Sequence, residues 1–290
     1  MTPAQKLQTL LDKPGLIAMP GVFDAVSVRL VERFGFEAAF MSGFMVSAAR
    51  IGMPDTGLIS YTEMLDQGRN ICDAVSVPVI GDGDTGWGNA INIKRTVAGY
   101  AAAGFACIML EDQVSPKRCG HTRGKRIVTR SEAYQRIQAA CDARAEIRER
   151  GGDILVMART DANATDGIDE AIERCNEFRR IGVDITFLEA PRTIEEMKRY
   201  CDEVDGPKMA NMVEQGDTPF LPPVELEEIG YKLGIWPASL MTAAIHGMEA
   251  ELGRLARGEV GEDGKITFGE LQDIVGFPAY YEAEKHYAND

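Results

Sequence analysis

Eight short runs of apolar and β-branched residues punctuate the chain, at 16–20, 38–42, 77–82, 106–111, 154–160, 185–190, 208–212 and 233–237. Between them lie segments whose apolar residues fall mostly at helical spacing, at 24–34, 62–75, 90–103, 131–150, 167–181, 193–204 and 224–232. A strand that reads as a continuous apolar run is covered on both faces, and strands that alternate with helices pair in parallel. Eight such units predict a closed (β/α)8 barrel of the TIM type rather than an open doubly wound sheet. Several helices run into a glycine and then the next strand, as at Gly104 and Gly182, the pattern of a helix C-cap leading into a short loop. No Ser/Gly linker, charge block or low-complexity stretch divides the sequence, so 1–290 reads as one barrel domain. The segment 268–290 follows the eighth unit and carries Phe277, Tyr280, Tyr281 and Tyr287 on a helix-like stretch. Its aromatic face calls for an apolar partner, and another subunit would serve.

Charge narrows the function. Lys and Arg number 31 against 45 Asp and Glu, a formal net charge of −14, where nucleic-acid phosphates and anionic membranes require a basic face. No apolar run approaches the roughly 18 residues of a membrane span. The N-terminus lacks a basic segment followed by an apolar one, so the expectation is a soluble, cytoplasmic protein. Cys72, Cys107, Cys119, Cys141, Cys175 and Cys201 show no CxxC or CxxH spacing and read as reduced thiols, mostly in the core. His246 and His286 fall on helical stretches away from strand ends and read as structural.

In a parallel barrel the chemistry sits where the strands end, because the loops that follow them line one mouth. Those ends carry Ser42 and Gly43, Asp82 and Asp84, Glu111 and Asp112, Arg159 and Asp161, Glu189, Asn211 and Ser239. Asp82 and Asp84, two apart in an extended segment, point the same way, and Glu111 ends the next strand. Carboxylates so close resist joint ionisation unless a cation sits among them, and oxygen-only donors at an open mouth suit Mg²⁺. The stretch from Gly81 to Gly86 also matches GxGxxG, but its two aspartates would repel a pyrophosphate, and its strand is the third of eight. The run from Glu259 to Glu270 approaches an EF-hand loop without its first and third oxygen ligands, so a turn at Asp263–Gly264 is expected.

The segment 111–128 is long, polar and marked by Pro and Gly, as a lid over the mouth would be. Within it Cys119 lies among Lys117, Arg118, His121 and Arg123, surroundings that lower a thiol pKa and attract an anion. Arg159 can grip a substrate carboxylate or pair with one of the acids.

Together the blocks GVFDAVSVRLVERFGFEAAFMSG, GMPDTGL, VPVIGDGDTGWGNA, EDQVSPKRCGH, MARTDA, DEAIERC and FLEAP resemble the isocitrate lyase/phosphoenolpyruvate mutase superfamily over nearly the whole chain. The KRCGH block is similar to that of its carbon–carbon lyase branch. The resemblance implies a (β/α)8 barrel with a C-terminal helix swapped between subunits of a homotetramer. It implies Mg²⁺, or Mn²⁺, bound directly by Asp84, with Asp55, Asp82 and Glu111 holding its waters. Ser42 and Gly43 would bind the substrate carboxylate, with Arg159 nearby. Cys119 would be the general acid. Glu189 and Asn211 would line the far subsite, and Gly120, His121 and Ser239 would complete the substrate-binding set. Met41 would occupy the place of a tyrosine, and Thr242 that of an arginine, found in relatives that cleave methylisocitrate.

The implied reaction is retro-aldol cleavage of a 2-hydroxy-dicarboxylate, a 2-alkylmalate such as 2,3-dimethylmalate, to a 2-oxo acid and a short carboxylate. Cleavage of 2-methylisocitrate and hydrolysis of oxaloacetate are the neighbouring alternatives. A protein that binds metal and carboxylate without catalysis is the alternative of another class.

Overall fold

The computed structural model describes residues 1–119 and 124–287. Eight strands, β1 (Ile17–Val22), β2 (Ala39–Met41), β3 (Val79–Asp82), β4 (Cys107–Glu111), β5 (Leu155–Thr160), β6 (Ile185–Leu188), β7 (Lys208–Asn211) and β8 (Leu233–Trp236), pair in parallel and in chain order. β1 closes on β8 through Ile17 opposite Leu233 and Met19 opposite Ile235, so the expected (β/α)8 barrel is what forms. Around and below it run α1 (Pro3–Asp12), α2 (Ala25–Arg33), α3 (Gly43–Ile51), α4 (Tyr61–Asp73), α5 (Ala90–Ala102), α6 (Arg130–Glu149), α7 (Ala162–Thr165), α8 (Ile168–Ile181), α9 (Ile194–Glu203), α10 (Pro223–Ile229), α11 (Ser239–Ala256), α12 (Phe268–Val275) and α13 (Phe277–Tyr287).

Strand alternation sorts the core into two layers. Met19, Phe40, Ile80, Met109, Met157, Phe187, Met209 and Ile235 fill the barrel together with Leu7, Leu10 and Leu11 of α1. That helix therefore stoppers the end away from the site, and Lys6 ties it there by donating to the Ser76 carbonyl at 2.7 Å, ahead of β3. Val22, Met41, Ile108, Leu110, Val156 and Ala158 point outward and pack under the helices. The two glycines read as helix ends have φ of +94° at Gly104 and +111° at Gly182, conformations that glycine adopts without strain.

Four helices, α1, α3, α7 and α11, lie outside the segments expected to be helical. α3 starts directly on the polar end of β2, and its first turn is built from site residues rather than from a periodic apolar stripe. The C-terminal segment is two helices, because Gly276, with φ +93°, ends α12 one residue before α13 begins. α12 packs on α2, where the Arg29 guanidinium donates to the Ile274 carbonyl at 3.2 Å. The EF-hand-like run is a turn, with Gly264 at φ +76°, and the Glu270 carboxylate is spent on capping Thr267. Among the described residues no helix is long and apolar enough to cross a membrane.

Candidate active site

The ends of the strands enclose a cavity of about 400 Å³. Its polar pole grows from β3. Tyr100 Oη donates to the Asp82 carbonyl at 2.6 Å, which fixes the strand end. The Asp82 carboxylate then accepts two backbone amides, from Gly43 at 3.1 Å and from Asp84 at 3.0 Å. The second of these bonds braces an unusual backbone, because Asp84 has φ +46°, a left-handed conformation that costs a non-glycine residue energy. Gly83 between them cannot carry a side chain, since a Cβ would lie 2.6 Å from the Met109 carbonyl oxygen.

A cation does sit among these acids, and it belongs to the chain. Lys117 Nζ is 2.6 Å from Asp55 and 2.9 Å from Asp84 Oδ1. Burial works to lower the Lys117 pKa, but Asp84, Asp82, Glu111 and Asp55 outweigh it and hold the ammonium charged. The acids are pushed the other way. Burial, helped by Asp82 and Asp55 and opposed by Lys117, raises the Asp84 carboxyl to about 7. Burial likewise raises Asp55, and carries Glu111 well above the usual carboxylate range against the pull of Arg159. Lys117 thus contacts two of the four acids, Asp55 and Asp84, and the Arg159 guanidinium lies against a third, Glu111. Glu111 Oε1 is buried without a hydrogen-bond partner. Among the described residues no group of three or more His, Cys, Asp or Glu side chains is arranged to hold a metal ion by itself. The set fits a small hydrated cation, which keeps most of its waters and takes few direct protein ligands.

The adjoining part of the site is organised by Arg159, brought beside Glu111 by the β4–β5 register. Asp161 holds its guanidinium through two bonds of 2.9 and 3.0 Å, while Glu111 and Glu189 lie at 3.3 and 3.2 Å. Its Cζ stands 5.3 Å from the centre of the Phe187 ring. Asp161 is itself braced. Its amide donates to Asp112 at 2.9 Å, Thr160 Oγ1 donates to Asp112 at 2.7 Å, and Arg174 pairs with Asp112 at 3.0 Å. Both functions foreseen for Arg159 are thus compatible: it is ion-paired below and still lines the cavity.

Cys119 lines the same cavity. None of the six cysteines is in a disulfide. Cys107, Cys141 and Cys175 are buried, and burial pushes Cys72 and Cys201 up to about 12. The stem leading to Cys119 is clamped by Gln113, whose side chain accepts from the Arg118 amide at 3.0 Å and donates to the Arg118 carbonyl at 2.8 Å.

The phosphoenolpyruvate phosphomutase family model matches residues 7–256. The chain belongs to that family. A 2,3-dimethylmalate lyase of Eubacterium barkeri is 42% identical over 291 residues, covering 99% of both chains. The structure of an oxaloacetate acetylhydrolase in complex with the inhibitor 3,3-difluorooxalacetate is similar at a TM-score of 0.94 and 34% identity, over 100% of this chain and 98% of that one. A phosphonopyruvate hydrolase in complex with oxalate and Mg²⁺ is similar at a TM-score of 0.87 and 27% identity, over 99% of each. Within the superfamily the chain is an enzyme of the carbon–carbon lyase type.

Within this family frame the structure brings most of the expected residues to one place. Ser42, Asp55, Asp82, Cys119, Arg159 and Asn211 line the cavity. Asp84, Glu111 and Glu189 lie beneath its wall, the last held by Arg159 and by Asn211 Nδ2 at 3.2 Å. Gly43 contributes by lacking a side chain, and its amide serves Asp82. Ser239 turns aside at the rim, where its hydroxyl bonds Glu214, while Ala238 and Thr242 form the wall. Gly120, His121 and Arg123 lie outside the described residues.

One placement needs correction. Met41 is not the cavity-facing residue of β2; it points outward, and its sulfur would lie 3.3 Å from a Cβ on Gly68. Phe40, one residue earlier and therefore on the other face, lines the cavity. Neither side chain has a hydroxyl. Sequence reasoning foresaw Arg159 pairing with one of the acids without singling out Asp161, although a carboxylate two residues past an arginine on a strand end was a usable signal. Nothing in the sequence placed Lys117 among the acids.

Proposed function

We propose that the protein is a Mg²⁺-dependent lyase that cleaves a 2-alkylmalate, such as 2,3-dimethylmalate, into pyruvate and a short carboxylate. The observation that carries this reading is that Cys119 lines the same cavity as Asp55, Asp82 and Arg159, together with a set of apolar side chains. Asp84 would hold the ion directly, with Asp55, Asp82 and Glu111 engaging its waters. When bound, the ion would polarise the C1 carboxylate and C2 oxygen and lower the cost of charge on that oxygen.

The chain's own groups do the rest. Ser42 is the N-cap of α3 but makes no cap hydrogen bond, so its hydroxyl is available to a carboxylate at that helix start. Arg159, immobilised by Asp161, Glu111 and Glu189, presents its remaining donor capacity to the substrate oxygens. The 2-hydroxyl would pass its proton to a carboxylate of the acid pole as the O–H electron pair becomes the second C2–O bond, while the C2–C3 bond breaks and its electron pair stays on C3. The Cys119 thiol would give its proton to that carbon, and the thiolate would regain one from solvent once the products leave. Phe44, Phe187, Val213, Ile235 and Pro237 line the cavity and would accommodate alkyl groups, and the neutral Thr242 would offer no charge to a third carboxylate.

Hydrolysis of oxaloacetate is the second reading, favoured by the likeness to the acetylhydrolase. The same pole would then hold a substrate of equal charge. We further propose a homotetramer in which 268–290 is exchanged between subunits. Ile245, Met248, Leu252 and Leu255 of α11, and Tyr280 and Tyr281 of α13, are exposed apolar side chains that a second copy would cover. The thiols, none in a disulfide, suit the cytoplasm.

The test is a panel of 2,3-dimethylmalate, 2-methylisocitrate and oxaloacetate with Mg²⁺, following 2-oxo acid and acetate. Pyruvate from the first is expected. Acetate and oxalate from oxaloacetate alone would move the assignment to the second reading, and no product from any of the three would end both.

A further inference from the structure

The peptide unit that leads from Asp82 to Gly83, and so on to Asp84, is pinned at both ends. Its N–H donates to the Met109 carbonyl of β4 at 2.8 Å, and its C=O accepts from Tyr100 Oη at 2.6 Å. We propose that Tyr100 is a positioning residue for the acid pole. Its hydroxyl, reaching in from α5 outside the barrel, holds this peptide in the orientation that keeps the Asp82 and Asp84 carboxylates set for a divalent cation. The inference rests on the metal reading of the site.

Three observations carry it. First, Tyr100 is wholly buried in the apolar layer between strands and helices, with Ile93, Val97 and Phe105. A hydroxyl there costs stability unless it is bonded, and the carbonyl it serves belongs to a residue of the site. Second, the chain makes room for this contact. A Cβ on Gly81 would lie 2.8 Å from Tyr100 Cε1 and 2.6 Å from Phe105 Cε1, and Gly68 likewise gives way to the Phe105 ring. Phe105 stacks on Tyr100, with centroids 4.7 Å apart and 24° between the planes, and so sets the direction of the hydroxyl. The first glycine of the GxGxxG-like run therefore admits an aromatic pair rather than a pyrophosphate. Third, the residue beyond the pinned peptide has little freedom of its own. Asp84 stands at φ +46°, with its amide on the Asp82 carboxylate at 3.0 Å and its carbonyl on the Glu111 amide at 2.9 Å. Without the Tyr100 bond the peptide can turn at Gly83, which has no side chain to resist, and the two carboxylates shift against each other.

Tyr100→Phe tests this by removing one oxygen while keeping the ring and its stack. Tyr200→Phe is the matched control, since Tyr200 is equally buried and donates to Thr186 Oγ1 of β6 at 2.8 Å. Mn²⁺ is titrated into the full-length chain, followed by calorimetry and electron paramagnetic resonance, for wild type, both tyrosine variants and Asp84→Ala, with thermal unfolding alongside. Both tyrosine variants are expected to lose a few degrees in Tm, as the loss of a buried hydrogen bond brings. Only Tyr100→Phe is expected to bind Mn²⁺ more weakly, by about tenfold or more, the usual worth of a group that orients the residues of a metal site. A Tyr100→Phe chain that binds Mn²⁺ like wild type, or a Tyr200→Phe chain that weakens binding as much, overturns the proposal while leaving the metal site standing. Wild type that binds no Mn²⁺, or Asp84→Ala that binds it equally well, removes the metal reading and this inference together.

Discussion

Replacing Gly43 by Ala tests whether the acid pole depends on a backbone that no side chain may crowd. The new methyl would lie 2.6 Å from Asp82 Oδ2 and 3.0 Å from its Cγ, so the carboxylate has to retreat by about 0.8 Å to reach ordinary contact at 3.4 Å. That retreat lengthens the 3.1 Å bond from the Gly43 amide and loads the 3.0 Å bond from the Asp84 amide, which holds Asp84 at φ +46°. Bonds to a charged acceptor are worth about 1.5–3 kcal/mol each, and overpacking a tight site costs about 1–3 kcal/mol. Alanine at the start of a helix returns part of this, about 0.4–1 kcal/mol, by restricting the unfolded chain. The expected net loss is about 2 kcal/mol, or about 3 °C in Tm for a chain of this length. The effect on turnover should be larger, since a small displacement of the group that sets the metal site is worth about 10² in kcat/KM. Thermal unfolding and steady-state kinetics on the most active substrate of the panel measure both. A Gly43→Ala enzyme with wild-type kcat/KM would show that the Asp82 brace is not what positions the acids.

Asp84→Ala is expected to abolish the activity, and wild-type turnover should stop in excess EDTA and return with Mg²⁺; full turnover in EDTA would dispose of the metal assignment. Cys119→Ser should lower kcat by about 10² or more with the fold intact, because a hydroxyl is too weak an acid to replace the thiol. If the serine enzyme matches wild type, Cys119 is only a lid residue. With the uncharged Thr242 lining the cavity, a third carboxylate left unpaired there would cost several kcal/mol, so kcat/KM for 2,3-dimethylmalate should exceed that for 2-methylisocitrate by about 10² or more. The reverse preference would show that a cation elsewhere meets the third carboxylate. Light scattering should give a tetramer for the full chain and a smaller species after truncation at Thr267, and a monomeric full chain would refute the exchange of 268–290.

The barrel was legible because its determinants are local and repeated. A buried parallel strand has to be apolar on both faces, each helix needs its own stripe, and glycines such as Gly104 and Gly182 mark the ends. Closure then follows from eight such units, and with it the fact that Ser42, Asp82, Glu111, Arg159 and Asn211 face one mouth. Helices without a clean stripe were not legible: α3 opens on site residues, and the four residues of α7 are too few to show a period. The facing of β2 was also beyond the sequence. In a three-residue strand buried on both sides, Phe40 and Met41 are equally apolar, and only the barrel's alternation puts one in the cavity and the other under α4.

Within the site, the sequence by itself determined which kinds of group gather: carboxylates at neighbouring strand ends, a guanidinium beside them, and a thiol on a cationic loop. What the acids are paired with was decided only by the tertiary structure. Lys117 is 62 residues from Asp55, and nothing in the local pattern distinguishes it from Lys125, which pairs instead with Asp161 at 3.2 Å. Loop closure over β4 chooses between them, because a buried carboxylate takes whichever cation the folded backbone can deliver to it. The chain thus encodes the charges of its active site locally, and their partners only through the fold.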